Sequence, residues 1–395
     1  MRGAFLCILL VVWSAWSAFG QEVLLGRNGY IEYRPGSLPL IISAPHGGYL
    51  EPEEIPDRSC SGCVHTTDLY TEELAYQLDS AIFDLFGCRP HLIINKLNRS
   101  KLDANRDKAE AADGNQYAEQ AWEEFHAFTE QAKEQVVEQY GKGLYLDLHG
   151  HGHIKQRLEL GYLLTAANLR LSDEQLDERD FVNNSSIKHL VLENDSEKSF
   201  SEVLRGEDSF GGFYEEYGYS AVPSPDDPAP ALLDFYFSGG YNTRKHGSLN
   251  GGNIDAIQIE CNMRGVRDSY KNRKAFSIAS AEVIQRFFDK HYSFSGNGVD
   301  VCESILSASE APKAAPLRVY PVPVTGGSRL WINRECHTID SFKMVDVFGK
   351  VVSLKPETVA SGGNCAFVVP VEFSGLYFLH IASSVGEEVQ KVMVE

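Results

Sequence analysis

The sequence has no surplus of positive charge. Lysine and arginine number 36 against 55 aspartates and glutamates, a formal net charge of −19. A nucleic-acid binder needs a basic face for phosphates, so that class is excluded. Beyond the first twenty residues there is also no apolar run of the roughly 18 to 20 residues that a membrane span requires. No long internal repeat is present. No second cysteine pair at knuckle spacing follows Cys60-Ser61-Gly62-Cys63, which favours a small disulfide loop over half of a zinc knuckle. What is present is a globular composition. Hydrophobic residues make up 43% of 395 and aromatics 11%. That is enough for a real core and excludes a wholly disordered chain. The length allows one large domain plus a small one, or two medium ones.

Residues 1–20 read as a secretory signal peptide. Arg2 supplies the positive start, Phe5 to Trp13 the apolar stretch, and Ser17-Ala18-Phe19-Gly20 the small residues before cleavage. The competing reading, an uncleaved anchor, needs a longer run. Removal of Cys7 with this leader leaves seven cysteines. Export would let some of them pair, with Cys336 and Cys365 in one late segment. Residues 304–316 are mostly Ala, Ser and Pro without a hydrophobic period, and read as a linker. They separate a large domain, 21–303, from a small one, 317–395.

In the large domain, strand-like and helix-like runs alternate. Leu38 to Ala44, His91 to Asn95, Leu144 to Leu148, Leu160 to Leu164 and Ile254 to Ile259 read as strands. Asp68 to Phe86, after the capping pair Thr66-Thr67, reads as an amphipathic helix. So do Asn115 to Tyr140 and Ala275 to Tyr292. Residues from about 171 to 234 carry no assignable pattern. The alternation predicts an α/β fold, a sheet flanked by helices on both faces. From about 317 only short strands and turns occur, which predicts a small all-β sandwich.

Three residues from distant parts of the chain sit at or just after strand ends: His46 in Pro45-His46-Gly47-Gly48, His149 in Asp147-Leu148-His149-Gly150, and Glu260 after Ile259. Sites in open α/β sheets form at that edge. A lone histidine in a loop is more often structural, but two histidines so placed suit a catalytic zinc. Such a site needs about three protein ligands. A carboxylate would complete the set, and Asp68 and Glu51 are alternatives for that one position. Their ordinary readings are a helix-start charge and a solvated loop acid. Asp147 is a candidate acceptor behind His149. Glu260 is costly to bury without a role or a partner such as Arg264 or Arg267. Its functional reading is general base and acid. The polar, basic stretch Asn98 to Asp107 offers Asn105 and Arg106 as a fork for a substrate carboxylate. Gly239-Gly240-Tyr241-Asn242-Thr243-Arg244 brings a second cation, Arg244.

In order along the chain, Pro45-His46-Gly47-Gly48, Thr67-Asp68, Asp103-Ala104-Asn105-Arg106, Asp147-Leu148-His149-Gly150, Gly239-Gly240-Tyr241 and Gln258-Ile259-Glu260 resemble the N-formylglutamate amidohydrolase family. That family is similar in fold to zinc carboxypeptidases and aspartoacylases. The resemblance covers roughly 38–292. It implies a mixed sheet flanked by helices and one zinc per chain held by His46, His149 and a carboxylate. It also implies an Asn105–Arg106 grip on the substrate carboxylate and Glu260 as base. The carboxypeptidase pattern has Glu three residues after the first histidine, where this chain has Tyr49. Glu51 resembles the placement in phage poly-γ-glutamate hydrolases, and Asp68 that in the formylglutamate enzymes.

The tail, with Val345-Asp346-Val347-Phe348-Gly349-Lys350 and Ser374-Gly375-Leu376-Tyr377-Phe378-Leu379, resembles the C-terminal sorting domain of the type IX secretion system. This implies the secretion machinery as a partner and a secreted or surface location. The expected activity is hydrolysis of an amide in a carboxylate-bearing, glutamate-like or peptide substrate. A carboxypeptidase or γ-glutamyl polymer hydrolase of the same fold is one alternative. A non-catalytic surface binding protein is the alternative of another class.

Overall fold

The computed structural model describes residues 23–193, 197–294, 319–320, 324–332, 339–346, 350–354, 365–383 and 386–395. The expected signal peptide, the linker and Cys336 lie outside these residues. The chain forms two compact units that meet in sequence between Ser309 and Glu310. No helix among the described residues is long and apolar enough to cross a membrane.

The first unit is built on an eight-stranded mixed sheet of order β1-β2-β4-β3-β5-β8-β6-β7. Its strands are β1 (Leu24–Leu25), β2 (Ile31–Arg34), β3 (Leu40–Ala44), β4 (His91–Asn95), β5 (Gly143–Gly150), β6 (Leu158–Gly161), β7 (Ala221–Val222) and β8 (Ile254–Cys261). The central strands β4, β3, β5 and β8 are parallel, and β6 runs antiparallel to β8. Helix α1 (Thr71–Phe86) leads from β3 to β4. Helices α2 (Lys108–Ala112) and α3 (Gln116–Tyr140) then carry the chain back across β3 to β5. The connection reverses direction at β3 and β5, so a crevice opens at their C-terminal ends.

Each face of the sheet carries its own core. Ile42, Leu146, Leu148, Ile257 and Ile259 pack with Leu74, Leu78 and Ile82 of α1 and with Phe276 and Ile284 of α11 (Tyr270–His291). Ile41, Tyr145 and Ala256 pack with Ala118, Phe125 and Val136 of α3. The two sets alternate along each strand because side chains point to opposite faces with period two. Residues 166–216, which run into the unassigned stretch, hold six short helices among the described residues: α4 (Ala166–Leu169), α5 (Asp173–Leu176), α6 (Arg179–Asn183), α7 (Lys188–Leu192), α8 (Phe200–Arg205) and α9 (Phe210–Glu216). Three of these have capping boxes, which fix such short helices locally. The expected strand 160–164 is shifted to β6, because Tyr162 to Leu164 turn away to meet Ser238.

The second unit has a three-stranded and a four-stranded antiparallel sheet. The first joins β13 (Cys365–Val368), β10 (Arg329–Ile332) and β9 (Val319–Tyr320). The second joins β12 (Val351–Leu354), β11 (Ile339–Asp346), β14 (Gly375–Ser383) and β15 (Gly386–Val394). Leu330, Ile332 and Phe367 of one meet Phe342, Met344, Leu379, Ile381 and Val392 of the other in one apolar cluster. This is the small sandwich expected of the tail.

Buried His91 starts β4. Its Nδ1 accepts from Gly36 N–H at 3.3 Å and meets the Tyr33 hydroxyl at 2.9 Å. Burial pulls its pKa from 6.5 to about 4. The neutral ring belongs to the folded state, so as pH falls the unfolded chain takes up the proton first. This group's stability is complete above about pH 6.5 and drains toward pH 4, a loss of roughly 2–3 kcal/mol. We expect the denaturant midpoint to fall over that window. His91→Gln should flatten the fall by about one proton. An unchanged slope in the variant would exclude His91 from the acid response.

Candidate active site

The polar site grows out of one face of the sheet. Ile41, Tyr145 and Ala256 form a buried row across β3, β5 and β8. One step on, Ser43, Asp147 and Gln258 are cross-strand partners, and then His149, Glu260 and Glu159 across β5, β8 and β6. The face thus changes from apolar to ionisable at the C-terminal strand ends.

His46 follows β3 in a turn packed tightly on its neighbours. A Cβ on Gly48 would lie 2.2 Å from the Lys96 backbone, and one on Gly47 2.4 Å from Glu72 N. The glycines therefore serve close packing of the turn. The same packing disposes of Glu51. Leu50 bridges to Leu97, with Leu50 N–H donating to Lys96 O at 2.9 Å. The chain is thereby led away, and Glu51 is exposed outside the cluster. Asp68 takes the place beside the histidines. It is not a helix-start residue as the capping pair suggested, because α1 begins at Thr71 after Tyr70 in the left-handed region at φ 68°. Asp68 N–H donates to His46 O at 3.0 Å, which ties it to the turn.

Nδ1 of His46, Nδ1 of His149 and Oδ2 of Asp68 face one another. Their separations are 3.1 Å between the histidines, 3.1 Å from His149 to Asp68 and 3.4 Å from His46 to Asp68. Ligand atoms at the corners of a tetrahedron with bonds of about 2.0–2.1 Å lie about 3.3 Å apart. All three residues are buried. Both outer ring nitrogens are held by carboxylates: His46 Nε2 by Asp103 Oδ1 at 2.6 Å, His149 Nε2 by Asp147 Oδ2 at 2.9 Å. With a cation in the cluster, those carboxylates would keep the proton on Nε2 and leave the Nδ1 lone pairs to face the ion. The set of two imidazoles and one carboxylate fits zinc.

The charges are arranged to match. Burial would raise Asp68, but hydrogen bonds from His149 and His46 outweigh it and hold the carboxyl far below its ordinary range. Burial opposes a proton on His149, yet Asp147 and Asp68 outweigh it and raise the ring's pKa. Burial pushes Glu260 up to about 8, with His149 opposing and Asp68 and Glu159 adding to the rise. Glu260 Oε1 accepts from Gln258 Nε2 at 2.9 Å, and among the described residues no lysine or arginine pairs with it. Arg267, its candidate partner, instead binds the carbonyls of Cys261, Leu69 and His151, and Arg264 is exposed.

Around this centre the placements differ. Buried Asn105 accepts from Asn242 N–H at 2.8 Å, and its Nδ2 lies 3.3 Å from His149 Nε2. A Cβ on Gly240 would lie 2.3 Å from that amide, so only glycine admits this approach. Arg106 is half-buried beside it, with Nε on Glu110 Oε1 at 3.0 Å. Arg244 does not line the cluster. On the one-turn helix α10 (Tyr241–His246), Asn242 and His246 turn inward and Arg244, two residues from each, is exposed. Asn242 Nδ2 reaches Asp147 Oδ1 at 3.3 Å.

Several contributors carried no sequence signal of their own. Arg99 reaches Asp103 Oδ2 at 3.0 Å and Asp68 Oδ1 at 3.5 Å. Arg58, buried beside the Cys60–Cys63 disulfide, donates to Arg99 O at 2.9 Å. The only hint of Arg99 was the basic stretch Asn98 to Asp107 within an acidic chain, and Arg58 had none. His151 is structural: Nε2 meets Arg157 O at 2.8 Å, and Nδ1 accepts from His153 N–H at 3.1 Å.

Residues 318–395 match the family model for a secretion system C-terminal sorting domain. The tail is a type IX sorting domain, as its turns suggested, and it marks the protein for export. No curated protein matches the chain. A solved structure, N-formylglutamate amidohydrolase from Ralstonia eutropha JMP134, is similar at 13% identity and a TM-score of 0.39. The match covers 70% of this chain and 98% of that one.

Proposed function

We propose that this protein is an exported, zinc-dependent hydrolase that cleaves an amide bond in a carboxylate-bearing substrate. The observation that carries the reading is the triangle of His46, Asp68 and His149 donors at 3.1–3.4 Å, each histidine backed by a carboxylate. Two buried imidazoles set nose to nose need a cation or a shared proton between them, and the outer carboxylates orient both for a cation. A zinc ion held there supplies Lewis acidity, polarising an amide carbonyl and acidifying water. Glu260 takes the proton from the attacking water and hands it to the leaving nitrogen. Asn105 and Arg106 hold the substrate carboxylate. The first twenty residues direct the chain across the inner membrane, and the sorting tail directs it onward.

The test is metal content and turnover together. The purified full chain should hold about one zinc, and a chelator should abolish hydrolysis of N-acyl-glutamate and peptide amides. A protein that takes up no zinc when it is offered is a binding module instead. Arg106→Ala should weaken carboxylate-bearing substrates about a hundredfold while sparing neutral amides. Equal losses on both would refute the grip.

A further inference from the structure

One flank of this site is apolar, and it is rigidly built. The ring of His153 stacks on Phe237, centroids 4.7 Å apart at 20°, and lies 5.4 Å from Phe235. Glu159 fastens this wall. Fully buried, it meets His153 Nδ1 through Oε1 at 2.8 Å and accepts Phe237 N–H through Oε2 at 2.8 Å. Glu159 is also the cross-strand partner of Glu260, so the wall begins one strand away from the proposed base.

The loop bearing the wall is pinned at both ends. Tyr236 Oη donates to Leu160 O at 2.6 Å, and Asp234 pairs with buried Arg157 at 3.0 Å. Yet Phe235 is 74% exposed and Leu233 92%. A fixed loop that holds large apolar side chains in water beside a polar site is shaped for a ligand. The proposed carboxylate grip begins at Asn105, which lies against His149 of β5, two strands from Glu159 of β6. The two flanks together suit an amide with a bulky apolar group on one side and a carboxylate on the other.

We infer that the site selects peptides, or N-acyl amino acids, whose acyl side carries a large apolar or aromatic group, which packs on Phe235, Phe237 and His153. This rests on the hydrolase reading of the same site. It departs from a site fitted to a small acyl group, which would leave the wall bare.

The experiment compares acetyl-Phe-Glu with acetyl-Gly-Glu on the zinc-loaded full chain. Burying an aromatic side chain predicts a preference of about tenfold to a hundredfold in kcat/KM for the Phe peptide. Phe235→Ala should bring the ratio of the two peptides close to one, mainly through KM. Calorimetric binding of both peptides to Glu260→Gln separates recognition from turnover. Tighter binding of the Phe peptide, lost when Phe235→Ala is added, supports the wall even if wild-type protein cleaves neither peptide, and only the hydrolase reading then fails. Equal binding, or a preference that survives Phe235→Ala, overturns the wall whatever the turnover shows.

Discussion

Glu260→Gln should keep its zinc and lose about a hundredfold to ten-thousandfold in turnover, the range associated with a positioned proton carrier. The substitution is nearly isosteric, and the bond from Gln258 Nε2 ends on an oxygen, Oε1, that glutamine retains. Glu260 is buried, and it is not one of the three clustered donors. Metal content is therefore expected to stay at the wild-type level while kcat collapses. KM should change little if, as proposed, Asn105 and Arg106 hold the substrate carboxylate. Near-normal kcat with zinc present would remove Glu260 from the chemistry. A loss of zinc would instead place it among the ligands.

Asp147→Asn should weaken zinc binding by about tenfold to a hundredfold, the usual cost of losing an outer partner of a ligating histidine. The reasoning is a matter of protons. Asp147 Oδ1 already meets donors from Ser43 at 2.6 Å, Tyr145 at 3.3 Å and Asn242 at 3.3 Å. An asparagine here would keep its oxygen toward these donors and turn its NH2 toward His149 Nε2. A donor facing Nε2 favours the tautomer with the proton on Nδ1. That proton would sit on the atom facing His46 and Asp68. Competition with a chelator of known zinc affinity measures the effect. An Asp147→Asn protein with wild-type zinc affinity would show that the carboxylate does not set the tautomer.

Much of the architecture was legible in residue order. The apolar runs at Leu40–Ala44, His91–Asn95 and Ile254–Cys261 are buried on both faces, so they read as continuous strands. Helix α3 was legible because Ala118, Trp122, Phe125, Ala132 and Val136 recur on one face, and in the structure Asn115 caps it, accepting from Tyr117 N–H and Ala118 N–H. Helix α1 was misread at its start. The threonine pair looks like a cap, but the left-handed Tyr70 and the bond from Asp68 N–H to His46 O delay the first turn. That delay depends on a segment more than twenty residues away. The stretch from 171 to 234 resisted assignment for a different reason: its helices, among the described residues, run to seven residues at most and carry too few for a hydrophobic period.

Local pattern was sufficient to place His46, His149 and Glu260 at strand ends, to set the α/β class and to mark the tail as a separate β unit. Those properties follow from spacing along the chain, since period and turn chemistry act over a few residues. Asp147 behind His149 was legible in the sequence, whereas the choice of Asp68 over Glu51 and of Asp103 as the partner of His46 was made in three dimensions. Each joins segments that approach only after the chain crosses over at β3 and β5. Distances of 2.6–3.4 Å between such segments are products of packing. The glycines that permit the approach, Gly48 against Lys96 and Gly240 against Asn105, acquire their meaning only from the backbone they touch.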